Sequence, residues 1–181
     1  KAPNVFFKEI IDSLNPGKLL LPGEGEGRNA VYAAQANWQV EAFDLSEKGQ
    51  EKALKLAQNH KVAFNYQIAS YESFVYPDHH FDLIALIYTH MLPIQWQNAY
   101  PRLINCLKPG GLLLMEGFHK NQLGNTSGGP KRLDMLWDLP LIRESFKNLE
   151  ELQAEEVRVL LDEGLFHQGE AELIRWLGKK S

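Results

Sequence analysis

The sequence is poor in the residues that staple a chain, ligate metals or cross membranes. It has one cysteine, Cys106, which excludes an internal disulfide framework and any cysteine-rich metal site. A reducing, cytoplasmic compartment is the simplest expectation. No apolar run reaches transmembrane length, so no membrane partner is expected. No signal peptide is visible in a chain that begins at Lys1. Excess charge is also lacking: 19 Lys and Arg against 23 Asp and Glu leave −4, which excludes a broad basic face and with it a nucleic-acid partner. Internal repeats, low-complexity tracts and linkers are absent, so the 181 residues predict a single domain spanning 1–181.

What the sequence has is a glycine loop between two apolar runs. Leu19-Leu20-Leu21-Pro22 leads into Gly23-Glu24-Gly25-Glu26-Gly27, and a helix opens at Arg28-Asn29-Ala30. Glycine at alternate positions lets the backbone turn tightly and lets a ligand approach the main chain. A second apolar run, Trp38 to Phe43, ends at Asp44. A carboxylate at the tip of the neighbouring strand accepts hydrogen bonds from two ribose hydroxyls. The arrangement predicts a nucleoside-type ligand across the ends of two parallel strands. Gly25-Glu26-Gly27-Arg28-Asn29-Ala30 also fits a dinucleotide fingerprint, but a pyrophosphate beside Glu24 and Glu26 would be repelled. A nicotinamide-dependent oxidoreductase is therefore the weaker reading.

Elsewhere strands and helices alternate. Helices are expected over Pro3–Leu14, with Phe6, Ile10 and Leu14 on one face, and over Arg28–Ala36, Ser46–His60 and Pro93–Leu107. Pro101 is expected to kink or split the last of these. Strands are expected at Lys18–Leu21, Gln39–Phe43, Ala63–Ile68, Phe81–Tyr88 and Leu112–Phe118, with a turn at Lys108–Gly111. This order makes right-handed βαβ units and a mainly parallel sheet. His119 to Pro130 reads as a glycine-rich loop over the site, and 133–146 as a helical stretch broken at Pro140. Glu156–Leu161 and Ala171–Leu177 form a hairpin around Gly164 to Gly169, so the sheet ends antiparallel.

These features together resemble class I S-adenosylmethionine-dependent methyltransferases. The resemblance is carried by the glycine loop, Asp44, Phe81-Asp82-Leu83, Leu107-Lys108-Pro109-Gly110-Gly111 and the final hairpin. Gly25-Glu26-Gly27-Arg28-Asn29, Ile87-Tyr88-Thr89-His90 and the ending from Asp162 to Gly169 look like the tellurite-resistance and thiopurine-methyltransferase-like branch. The family implies a doubly wound, Rossmann-like α/β fold with a seven-stranded sheet in the order 3-2-1-4-5-7-6, its last strand antiparallel. It implies S-adenosylmethionine as cofactor and methyl transfer to a small-molecule acceptor, a soft thiol or chalcogen among the candidates. No metal is called for.

The resemblance places the methionine part of the cofactor over Gly23, Gly25 and Gly27, with Asn29 orienting that end. It places ribose on Asp44, adenine by Leu45, Ser70 and Tyr71, and the methyl above Ile87 and Tyr88. Tyr88 would line the acceptor pocket. His90 would face the acceptor as a candidate base, although direct displacement makes a base optional. Trp137 is a candidate for the pocket wall, and His119, Lys120 and Gln122 for its rim.

Two positions depart from the pattern. Leu21 stands where the family has an acid, and Glu24 can take over by binding loop amides or the cofactor ammonium. Ser70 replaces an adenine-binding acid, at a cost of roughly 1 kcal/mol. A cofactor-binding protein without catalysis is the alternative that these departures keep open.

Overall fold

A computed structural model describes residues 2–162 and 168–181. Its seven strands are β1 (Lys18–Pro22), β2 (Gln39–Asp44), β3 (Asn65–Ile68), β4 (Phe81–Ile87), β5 (Leu107–Phe118), β6 (Leu149–Asp162) and β7 (Gln168–Lys180). They form one sheet in the order β3-β2-β1-β4-β5-β7-β6. The pairs from β3 to β5 are parallel, and β7 runs antiparallel to both β5 and β6. The expected order and direction of pairing are met.

Alternate residues of one strand enter different cores. Leu19 and Leu21 pack toward α1 (Val5–Ser13), α2 (Arg28–Gln35) and α3 (Glu47–Asn59). Leu20 faces α4 (Pro93–Cys106) and α5 (Leu139–Ser145). A strand covered on both sides has no polar face to show, which is why β1 reads as unbroken leucine. Ser46 caps α3 by accepting the Gly49 amide at 3.0 Å. Asn4 caps α1 by accepting the Phe7 amide at 2.9 Å. The buried face of α1 is Phe6, Phe7 and Ile11; Ile10 and Leu14, expected beside Phe6, are only half-buried.

Other expectations need correcting. Pro101 does not split α4, which runs unbroken from Pro93 to Cys106. The carbonyl it deprives of a partner, on Gln97, lies on the exposed face, where water can satisfy it. Pro140 opens α5 instead of breaking it, since its missing N–H falls in the first turn. Lys108–Gly111 is an irregularity within β5: Phe81 pairs with Leu107, but Leu83 pairs with Leu112, and Gly110 turns the chain at φ +78°. The hairpin arms are about twice as long as expected, because β6 is an acidic edge strand whose pairing is not written in apolar alternation. Glu163 to His167, including the expected turn at Gly164, lie outside the described residues. No helix among the described residues is long and apolar enough to cross a membrane.

Candidate active site

The three glycines do different work. Gly23, Gly25 and Gly27 have φ of +65°, +64° and +84°, a region that costs an L side chain about 1–2 kcal/mol. At Gly27 a Cβ would also come within 2.5 Å of the Ala53 Cβ, so this glycine lets α2 and α3 meet. At Gly23 a Cβ would press on Thr89 at 3.1 Å, whereas nothing lies within 4 Å of a Cβ at Gly25. The loop is held from below: the Gly23 and Glu24 amides donate to the Phe43 carbonyl at 2.8 and 3.3 Å. Tyr66 donates its hydroxyl to the Gly25 carbonyl at 2.6 Å. Sequence reasoning missed Tyr66, which reads as an ordinary strand aromatic.

Asp44 stands at the end of β2 beside this loop. One carboxylate oxygen accepts the Gly25 amide at 3.1 Å and the other the Ser46 amide at 2.9 Å. Each oxygen keeps a lone pair for a further donor. Leu45, next along, is 70% exposed. The carboxylate is therefore fixed in orientation while still able to bind a vicinal diol.

Glu24 turns to the start of α2, where Gly27 supplies no side-chain cap. Its Oε1 accepts the amides of Asn29 and Ala30 at 2.9 and 2.8 Å. Burial nevertheless outweighs those bonds and pushes its carboxyl up to about 7. Asn29 is buried, and its Oδ1 accepts the Asn4 amide at 2.9 Å, so it ties α1 to the loop. The Leu21 side chain lies in the core, and the Glu24 carboxylate binds loop amides, as expected of a replacement for the missing acid.

Ser70 and Tyr71, expected beside adenine, follow the end of β3. The Ser70 oxygen accepts the amides of Glu72 and Ser73, both at 3.1 Å, so its acceptor capacity is spent on a turn. Tyr71 packs edge-on to Phe43, with ring centroids 5.3 Å apart. Its hydroxyl approaches Gly23, as does the side chain of Thr89. Both hydroxyls are buried, and beyond the weak contact of one with the other neither has a hydrogen-bond partner among the described residues; burial holds the Tyr71 phenol well above its usual value. Such under-satisfied groups cost about 1–3 kcal/mol each unless something binds them. Open space over Gly25, an oriented carboxylate and two under-satisfied hydroxyls fit a nucleoside with a polar tail.

At the end of β4, Ile87 pairs with Glu116 of β5. Tyr88 then adopts φ +55°, a strained geometry for an aromatic residue that recurs at functional sites. Its amide donates to the Glu116 carbonyl at 2.8 Å and its hydroxyl to Glu116 Oε1 at 3.1 Å. Glu116 is 1% exposed and also holds Arg175 at 2.6 Å and the Asn4 amide nitrogen. This network was not anticipated, although an acid inside the apolar run 112–118 was its signal.

His90 lies on the opposite side. Nδ1 is 2.7 Å from the Met135 carbonyl, which can only accept, so Nδ1 carries the proton. Nε2 accepts the Phe118 amide at 2.8 Å. With both nitrogens committed to backbone, the imidazole is a clamp and not the acceptor's base. Trp137 is likewise core, fully buried against His90 and Trp96. The segment from His119 to Pro130 is fastened beside β7, not draped over the site. Gln122 accepts the Glu172 amide at 2.9 Å and donates to Ser127 at 2.8 Å, and Lys120 pairs with Asp138 at 2.5 Å.

The fold and the strand-end cradle define a Rossmann-like nucleoside-binding domain of the methyltransferase type. The chain belongs to the methyltransferase-domain family, whose model matches residues 20–111. No curated protein matches it. Among solved structures it resembles TehB from Haemophilus influenzae at a TM-score of 0.81 and 14% identity, covering 99% of this chain and 63% of TehB. The chain thus spans less than two thirds of that protein's length. A SAM-dependent methyltransferase from Methanosarcina mazei gives 0.78 at 12% identity, covering 99% of both chains. The Burkholderia thailandensis 1,6-didemethyltoxoflavin-N1-methyltransferase, solved with bound 1,6-didemethyltoxoflavin and S-adenosylhomocysteine, gives 0.71 at 18% identity, covering 98% of this chain and 79% of its own. At such identities these likenesses establish the shared fold.

Proposed function

We propose that this chain binds S-adenosylmethionine and transfers its methyl group to a small-molecule acceptor. The observation that carries this reading is the cradle at the ends of β1 and β2, where Asp44 is oriented by the Gly25 amide beside two under-satisfied hydroxyls. Asp44 would hold the ribose diol, and Gly23 and Gly25 would admit the methionine tail. Tyr71 and Thr89 would supply the hydrogen bonds they now lack. When bound, S-adenosylmethionine supplies an electrophilic methyl carbon that a nucleophile takes by direct displacement, leaving a neutral thioether. The protein's part is placement, which accounts for much of the rate in such reactions. The occupied nitrogens of His90 agree with chemistry that needs no base from the enzyme.

Calorimetric titration with S-adenosylmethionine and S-adenosylhomocysteine tests this directly. Saturable binding of both is expected. Asp44→Ala should weaken it by about 1.5–3 kcal/mol, the scale of a lost charge-assisted hydrogen bond. No heat from either compound overturns the proposal.

A binding protein without catalysis is the second reading, favoured by the spent acceptor of Ser70. Formation of S-adenosylhomocysteine with a panel of small thiols separates the two.

A further inference from the structure

A cleft of about 550 Å³ opens between the start of α1 and the outer strands β5, β7 and β6. Its size suits a small ligand. Val5, Val159, Leu161 and Leu173 give it apolar walls, and buried Glu116 and partly buried Arg175 are charged elements of its lining. Through Glu116 it adjoins Tyr88, and so the end of β4.

The charges are unevenly committed. Glu116 is fully engaged, by Tyr88, Asn4 and Arg175. Arg175 is not: its Nε donates to Glu116 at 2.6 Å, and a guanidinium has five N–H bonds. Among the described residues the other four have no hydrogen-bond partner. Phe6 lies 5.2 Å from the guanidinium carbon, and with Glu116 it fixes the fork's plane while the group lines the cleft. A planar, oriented fork matches a carboxylate. Asp162, the other acid at the cleft, is exposed, where water and salt weaken its influence.

We propose that this cleft binds a small organic acid, its apolar body between α1 and β6 and its carboxylate on Arg175, and that the methyl acceptor belongs to this class. The second half rests on the methyl-transfer reading; the binding site does not.

The test uses three probes of one shape followed by NMR: 3-phenylpropanoate, 3-phenylpropanamide and 3-phenylpropylamine. The carboxylate should bind saturably and the other two at least about tenfold more weakly, as loss of a bidentate charged bond implies. Arg175→Lys keeps a cation beside Glu116 but loses the fork, and should weaken carboxylate binding about tenfold. Val159→Trp should abolish it by filling the cleft, with S-adenosylhomocysteine binding retained as evidence of an intact fold. Equal binding of the three probes, no binding of the carboxylate, or undiminished binding in Val159→Trp overturns the proposal. Carboxylate binding without S-adenosylhomocysteine binding overturns the methyl-transfer reading and leaves the cleft assignment standing. The reverse result removes the cleft assignment alone.

Discussion

His90 accepts the amide of Phe118 on one ring nitrogen and donates to the carbonyl of Met135 with the other. It thereby joins the end of β4 to β5 and to the segment before α5. His90→Ala strands both backbone groups. Unfolding in urea should show a loss of about 2–6 kcal/mol, the sum of two such penalties. The chemical step, measured at saturating substrates in the folded fraction, should change little. A large loss of rate with unchanged stability would restore the imidazole to catalysis.

Gly25 and Gly27 share a left-handed backbone but differ in surroundings. Gly27→Ala adds steric conflict with Ala53 and should destabilise by roughly 2–4 kcal/mol. Gly25→Ala carries only the backbone cost, about 1 kcal/mol. Its larger effect should be on S-adenosylhomocysteine affinity, because its Cβ enters the open side of the cradle. Thermal melts and calorimetry on the two variants separate these effects.

Glu24 carries a pH dependence whose sign follows from its burial. Its carboxyl is raised from 4.5 to about 7 in the folded chain, so between those values the folded state holds a proton that the unfolded state has released. Stability from this group is complete below 4.5 and is lost as pH rises through about 7. Urea unfolding at pH 5 and pH 8 should show wild type losing roughly 1–3 kcal/mol more than Glu24→Gln over that interval. Parallel curves would rule out a raised carboxyl.

Glu116→Gln leaves Arg175 without its counter-charge. The expected loss is about 2–4 kcal/mol, somewhat below the value for a fully buried pair, because Arg175 keeps partial contact with water. Arg175→Lys should cost less. Denaturant unfolding of both variants checks the order.

Much of the fold was legible because its signals are local. Apolar runs mark strands buried on both faces, Ser46 marks a cap, and the alternation of elements implies the parallel sheet. Asp44 and the glycines were legible for the same reason: special backbone needs leave special residues. The errors lie where tertiary context decides. Pro101 is tolerated because the carbonyl it orphans faces water. The length of β6 comes from pairing with β7, which its glutamates do not announce. The Ser70 oxygen is taken up by a turn that closes back on itself, which the sequence around it does not announce. The Glu116, Arg175 and Asn4 network draws on three distant parts of the sequence, and no short-range pattern joins them.

The outer strand β6 presents Glu150, Glu155 and Glu156 along a rim fourteen residues long. Two molecules meeting rim to rim would set carboxylates against one another before any ladder could form, so the acid run works as a guard against fibrous self-assembly. Acidification discharges that guard, and handling at low pH should therefore be where the protein first clumps.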